Sequence, residues 1–95
     1  MSTKNNPGAY DCYAKLEPDE PYFVLRGKDP VGWLLVKLWV AIRKHMHSSQ
    51  MNDAYLAKLD EAKITAQNMR DWAEAHETSE KGKTTDAIKA YEALR

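Results

Sequence analysis

Cysteine occurs once in this chain, at Cys12, so no internal disulfide can brace the fold. The longest apolar stretch, residues 31–42, is interrupted by Lys37 and falls short of the ~20 residues a membrane-spanning helix needs. The opening Met-Ser-Thr-Lys-Asn-Asn-Pro-Gly has no apolar core of the kind a signal peptide carries. The expectation is therefore a cytoplasmic protein in a reducing compartment, with no membrane contact. Net charge is lacking as well. Fourteen Lys and Arg balance fourteen Asp and Glu, which indicates neither a strongly cationic nucleic-acid binder nor an acidic mimic of DNA. Internal repeats and low-complexity segments are also missing.

Catalytic and metal motifs are equally scarce. His45 and His47 are two apart, which on a helix points them to different faces, and His76 is the one other histidine. A metal site wants three or four ligands at workable spacing, so solvated or dipole-satisfied imidazoles are the simpler reading. Gly82-Lys83-Thr84 ends like a phosphate-binding loop, but that motif needs a glycine where Glu77 stands, a strand before it and a long helix after it. A polar linker explains it better. Cys12 has no histidine nearby in sequence and is read as an inert thiol. Asp19 and Glu20, between Pro18 and Pro21, are a solvated turn rather than an acid–base pair. No catalytic residue, metal ligand or cofactor is assigned, and the protein is expected not to be an enzyme.

What the chain does have is uneven charge and one unusual helix. Its 95 residues make one domain, which folded alone would bury only about 60–65% of the surface its unfolded form exposes. Self-association is a common remedy for so small a core. Residues 11–22 carry Asp11, Glu17, Asp19 and Glu20 against Lys15, a net −3. Residues 26–47 carry Arg26, Lys28, Lys37, Arg43 and Lys44 against Asp29, a net +4, and residues 70–80 return to −3. Such blocks suit head-to-tail subunit contacts, although solvated faces give the same pattern.

Residues 1–9 read as a flexible tail with a turn at Asn5-Asn6-Pro7-Gly8, and residues 10–95 as a single helical domain. Within it, residues 10–29 are irregular or extended. One helical turn fits before Leu16, two prolines end it, and Tyr22-Phe23-Val24-Leu25 favours an extended segment that packs across helices or pairs with its own copy. The first long helix is placed over 30–47, with Asp29 as N-cap and Pro30 at the first helical position. It shows apolar residues on two faces. Val31, Leu34, Leu35, Leu38, Ile42 and Met46 form one, Trp33, Val36 and Val40 the other. The second helix, 52–76, has a clean inward stripe of Tyr55, Leu59, Ala62, Ala66, Met69 and Ala73. After a polar linker around Gly82, Thr85 caps a short third helix, 85–95, with Ile88, Tyr91 and Leu94 as its buried edge. The fold class is all-α: an antiparallel two-helix hairpin, a short third helix and an irregular N-terminal segment.

Ile64 and Trp72 lie off the second helix's stripe and need another contact. With Val36 and Val40 they are the candidate interface of a homo-oligomer. The candidate ligand site is Tyr22, Arg26, Lys28, Trp33, Lys37, Arg43 and Lys44. Arginine offers a planar fork of donors to phosphate, lysine adds point charge, and an aromatic face can stack on a base. Arg26 and Lys28 would hold a phosphate at the mouth of the first helix while Tyr22 or Trp33 stacks. The competing reading is a protein–protein contact in which lysines lie over Trp33 and Val36. A structural ion pair of Arg26 with Glu20 or Asp71 is a further alternative.

The run Glu20-Pro21-Tyr22-Phe23-Val24-Leu25-Arg26-Gly27-Lys28-Asp29-Pro30, followed by Leu35-Val36-Lys37-Leu38-Trp39 and later Ala62, Ala66, Met69 and Trp72, resembles a group of small bacteriophage proteins. These share a DEP-aromatic-VLR-x-x-D segment, a tryptophan-bearing helix and a second helix ending in M-x-x-W. The resemblance covers residues 12–76. By type it implies a counter-defence protein, either a sponge that sequesters a cyclic-nucleotide immune signal or an anti-CRISPR-like inhibitor of a host or defence protein. The expected partners are thus the chain itself and an anionic nucleotide-type ligand or a host defence protein. A nucleic-acid-binding regulator is a third class, which the zero net charge disfavours.

Overall fold

The computed structural model describes residues 3–6, 8, 13–46, 52–78 and 82–94. Among them are a short 3-10 turn (Tyr13–Lys15) and three helices, α1 (Gly32–Met46), α2 (Asp53–Ala75) and α3 (Thr84–Leu94). The protein is all-helical, with no strand among the described residues beyond an isolated bridge between Thr78 and Gly82. Cys12, His47 and the connection at 48–50 lie outside the described residues.

A staircase of turns leads into α1. The Asp29 N–H donates to the Arg26 carbonyl at 3.1 Å, and the Gly32 N–H donates to the Asp29 carbonyl at 3.2 Å. The Asp29 carboxylate accepts from the Val31 N–H at 2.8 Å, covering a donor that the first helical turn cannot satisfy. Regular helix therefore starts at Gly32, and Pro30, expected at the first helical position, sits in the turn before it. α2 starts where its sequence says it should: the Asn52 side chain accepts from the Tyr55 N–H at 2.8 Å.

The two long helices pack on one another. A side chain on Gly32 would meet Met69 Cε at 3.0 Å, the Arg70 guanidinium lies 4.6 Å over the Trp33 ring, and Lys44 interacts with Lys63 and Asp60. The start of α1 thus meets the later part of α2, and its end meets the earlier part. On α2 the stripe falls where its spacing places it, with Leu59, Ala66 and Ala73 buried and Tyr55, Ala62 and Met69 half-buried.

On α1 the second face supplies the most buried side chains, while the first is divided between half-buried Leu34 and Leu38 and exposed positions. Trp33 and Val40 are 2% and 3% exposed, Gly32 is buried and Val36 half-buried, whereas Val31, Leu35, Ile42 and Met46 are exposed. The Trp33 indole is covered with cations over its ring: Arg70, and Lys37 Nζ at 5.6 Å. Each large side chain so covered contributes about 1.5–3 kcal/mol. The buried core is small, holding Trp33, Val40, Leu59 and three alanines among its apolar members.

α3 is held by hydrogen bonds more than by apolar contact. It begins at Thr84, one residue before the expected cap. The Lys83 N–H donates to Asp86 Oδ2 at 3.2 Å while the Asp86 N–H donates to the Lys83 carbonyl at 3.0 Å, a reciprocal box. Buried Thr84 donates its N–H to Glu77 Oε1 at 3.1 Å, and its hydroxyl reaches Glu74 Oε1 at 3.3 Å and Glu77 Oε1 at 3.4 Å. Glu74 in turn accepts from Arg70 Nε at 3.1 Å. A continuous path of contacts therefore runs from Trp33 through Arg70 and Glu74 to Thr84. Gly82, at φ +83°, makes the turn before α3 in a conformation other residues rarely adopt. Ile88 and Tyr91 are half-buried, but Leu94, expected in the buried edge, is exposed.

Candidate functional site

Residues 25–28 cross one flank of α2 and divide it into two recesses. Thr65 lines both. On the side towards the end of α2 lies a cleft of about 690 Å3, bounded by residues 3–5, by Arg26, Gly27 and Lys28, and by Asn68, Met69, Trp72 and His76. Residues 3–6, expected in a mobile tail, form a turn instead: the Thr3 N–H donates to the Asn6 carbonyl at 3.0 Å and the Asn6 N–H to Thr3 Oγ1 at 3.0 Å.

The cleft is chemically one-sided. Lys4, Arg26 and Lys28 line it, and among the described residues no carboxylate does. Among the described residues none of the three cations is ion-paired, so the alternative of an Arg26 pair with Glu20 or Asp71 is not what the structure shows. Thr3, Asn5, Thr65 and Asn68 bring hydrogen-bonding groups.

The floor carries an aromatic stack. The Trp72 and His76 rings lie 4.4 Å apart and 16° from parallel, with Trp72 54% exposed. His76 Nδ1 stands 2.8 Å from the Trp72 carbonyl. A carbonyl only accepts, so Nδ1 carries the proton and Nε2 is left to interact outward. A side-chain carbon added at Gly27 would come within 3.4 Å of Trp72 Cδ1, so the rim runs close beside the indole. Three unpaired cations, an indole face and neutral donors and acceptors suit an anion attached to a flat ring.

Of the ligand residues expected from sequence, Arg26 and Lys28 are brought together here and the others are not. Trp33 is inside the helix pair and has no free face for a ligand. Tyr22 is exposed but packs edge-on against Tyr13, ring centres 5.9 Å apart. Lys37 lies over Trp33, and Arg43 lies over Trp39 at 5.7 Å. Lys44 has its pKa lowered, chiefly by a hydrogen-bonding contact with the Lys63 amine, then by desolvation and the Lys63 charge, with Asp60 opposing. At 1.5 Å rise per residue these α1 cations run away from Arg26, so the seven cannot close around one small ligand.

The four expected interface residues also separate. Val40 is buried within the chain, Val36 lines the second recess, Ile64 is exposed on the far side of α2, and Trp72 belongs to the cleft. Trp72 is the cleft-lining residue that sequence reasoning placed elsewhere, at an oligomer interface. Its signal was the position of Trp72 and His76 four apart on one helix face, off the packing stripe.

The Gly82-Lys83-Thr84 run does not cradle phosphate. Thr84 is buried and its hydroxyl is engaged with two carboxylates. No group of His, Cys, Asp and Glu able to hold a metal occurs among the described residues, and no described helix is long and apolar enough to cross a membrane. No protein family, curated protein or solved structure matches the chain.

Proposed function

We propose that this protein is a non-enzymatic binder of a phosphate-bearing small molecule with an aromatic base, and that its ligand is a cyclic nucleotide-type immune signal. The observation that carries the reading is the cleft itself: Lys4, Arg26 and Lys28 beside the exposed Trp72–His76 stack, with no ion pair to these cations and no carboxylate in the lining among the described residues. The phosphate sits between Arg26 and Lys28, the base lies on Trp72, and Asn68 and Thr65 meet its edge. An antiparallel α1–α2 hairpin makes the platform, and residues 25–28 form its rim. In this reading the outcome of binding is sequestration. With the resemblance to small phage proteins, the setting is the host cytoplasm and the role is counter-defence.

A second reading, a protein–protein inhibitor of a host or defence complex, draws on the exposed aromatic segment around Phe23, which lies outside the cleft. Native mass spectrometry of the intact protein with a library of mono-, di- and cyclic nucleotides separates the two. The sponge reading expects a stoichiometric nucleotide adduct that weakens about 5- to 100-fold in Trp72→Ala, the loss of one stacking contact. Absence of any adduct with the whole library overturns it in favour of the inhibitor.

A further inference from the structure

The second recess, on the other side of residues 25–28, adjoins a run of exposed apolar side chains. Leu25, Leu35, Val36, Trp39 and Ala62 line a groove of about 410 Å3, with Lys58, Glu61 and Thr65 completing its wall. Two residues before Leu25, Phe23 stands 84% exposed, flanked by exposed Tyr22 and Val24. Along α1, Leu35, Trp39 and Ile42 recur at one helix face and continue the apolar surface, each at least a third exposed.

We infer that this face joins two copies of the chain about a two-fold axis, with Phe23 of each copy seated in the groove of the other. A two-fold contact must be self-complementary, so one surface has to carry both the projection and the recess that receives it. This surface does. Leu25 lines its own groove while Phe23, two residues along the same extended segment, stands clear of it.

Charge agrees with the pairing. Asp19 and Glu20 immediately precede the projecting aromatics, whereas Lys58 lines the groove and Arg43 lies over Trp39 at its edge. A two-fold axis brings each acidic turn to the other copy's cations, and among the described residues Glu61 is the one carboxylate lining the groove. The area also suffices. The exposed parts of Tyr22, Phe23, Val24, Leu35, Trp39 and Ile42 come to roughly 650 Å2, close to the about 800 Å2 per partner of a standard interface. The basic cleft lies on the opposite side of residues 25–28, so dimerisation leaves it open and does not depend on what it binds.

Sedimentation velocity between about 1 and 100 µM tests this, the range over which a dimer of modest affinity populates. The wild type should sediment as a dimer at the upper concentrations. Phe23→Asp, at a position too exposed to matter for folding, should raise the dimer dissociation constant by at least about 100-fold, because each dimer loses two seated rings. Its circular dichroism should match the wild type. Glu20→Lys should weaken the dimer, and Glu20→Lys combined with Lys58→Glu should restore it. A wild type that remains monomeric at the highest concentration overturns the inference, leaving the face for a foreign partner. So does a Phe23→Asp variant that dimerises like the wild type, which would place the contact elsewhere.

Discussion

Two substitutions two residues apart in α1 should have consequences of very different size. Val40 is 3% exposed against α2, while Ile42, on the other side of the same helix, is 49% exposed. Val40→Ala removes two buried carbons, about 1.6 kcal/mol of transfer free energy, and leaves a cavity that the small core cannot close, for a total of about 2–3 kcal/mol. A chain of this size holds about 5–15 kcal/mol in all, so the loss is a large fraction. Ile42→Ala removes carbons that already meet water. Its loss of about 1 kcal/mol is partly offset by the better helix propensity of alanine, leaving a change within about 0.5–1 kcal/mol. Urea unfolding followed by circular dichroism, at a concentration where sedimentation shows monomer, gives both values. If Ile42→Ala costs more than Val40→Ala, the Leu35–Ile42 side of α1 packs inward and the account of the fold is wrong.

Gly32→Ala should destabilise by about 1 kcal/mol net despite its helical position. The added carbon meets the Arg26 carbonyl at 3.0 Å, which is fixed by the Asp29 N–H, so crowding outweighs the helix gain, whereas a rise in melting temperature would show that the turn yields freely. Thr84→Val keeps the shape but removes the hydroxyl that serves Glu74 and Glu77. It should cost about 1.5–3 kcal/mol and speed hydrogen exchange selectively in α3, while uniform exchange throughout would refute a local anchor. Lys63→Glu replaces the amine that lowers the Lys44 pKa with a carboxylate. Melting temperature should rise, with the gain shrinking in high salt; a salt-independent fall would contradict the electrostatic account. The sign follows from linkage: a lysine whose folded pKa is lowered is held charged at a cost below that pKa, and removing the neighbouring cation lifts the cost throughout the neutral range.

How much of this was legible in the sequence depends on the element. α2 was, because its apolar and small residues recur on a single stripe and Asn52 marks its start. α1 was legible as a helix but not in its orientation. Both of its faces are apolar, and what the buried one meets, Arg70 over the indole and Met69 beside Gly32, comes from α2. Neither fact is local to α1. The beginning of α3 was missed by one residue because the sequence points to Thr85 as the cap, whereas the first turn is closed by Lys83 and Asp86 and the Thr84 side chain is engaged elsewhere. Its partners, Glu74 and Glu77, are brought near by the turn at Gly82. At the site, Arg26 and Lys28 stood out through their setting between an apolar segment and a helix start. Trp72 did not, because what makes it a cleft wall is Gly27, far away in the chain, and no periodicity reports that meeting.

The most direct measurement of the central claim is isothermal titration calorimetry of the wild type and Arg26→Ala with the nucleotide that native mass spectrometry selects. Arg26 carries no ion pair among the described residues, so its removal should leave helicity and melting temperature unchanged. Loss of a charge-assisted phosphate contact should weaken binding by about 2–4 kcal/mol, roughly thirtyfold to a thousandfold. Undiminished affinity in a properly folded Arg26→Ala variant would contradict the assignment of the cleft as the binding site.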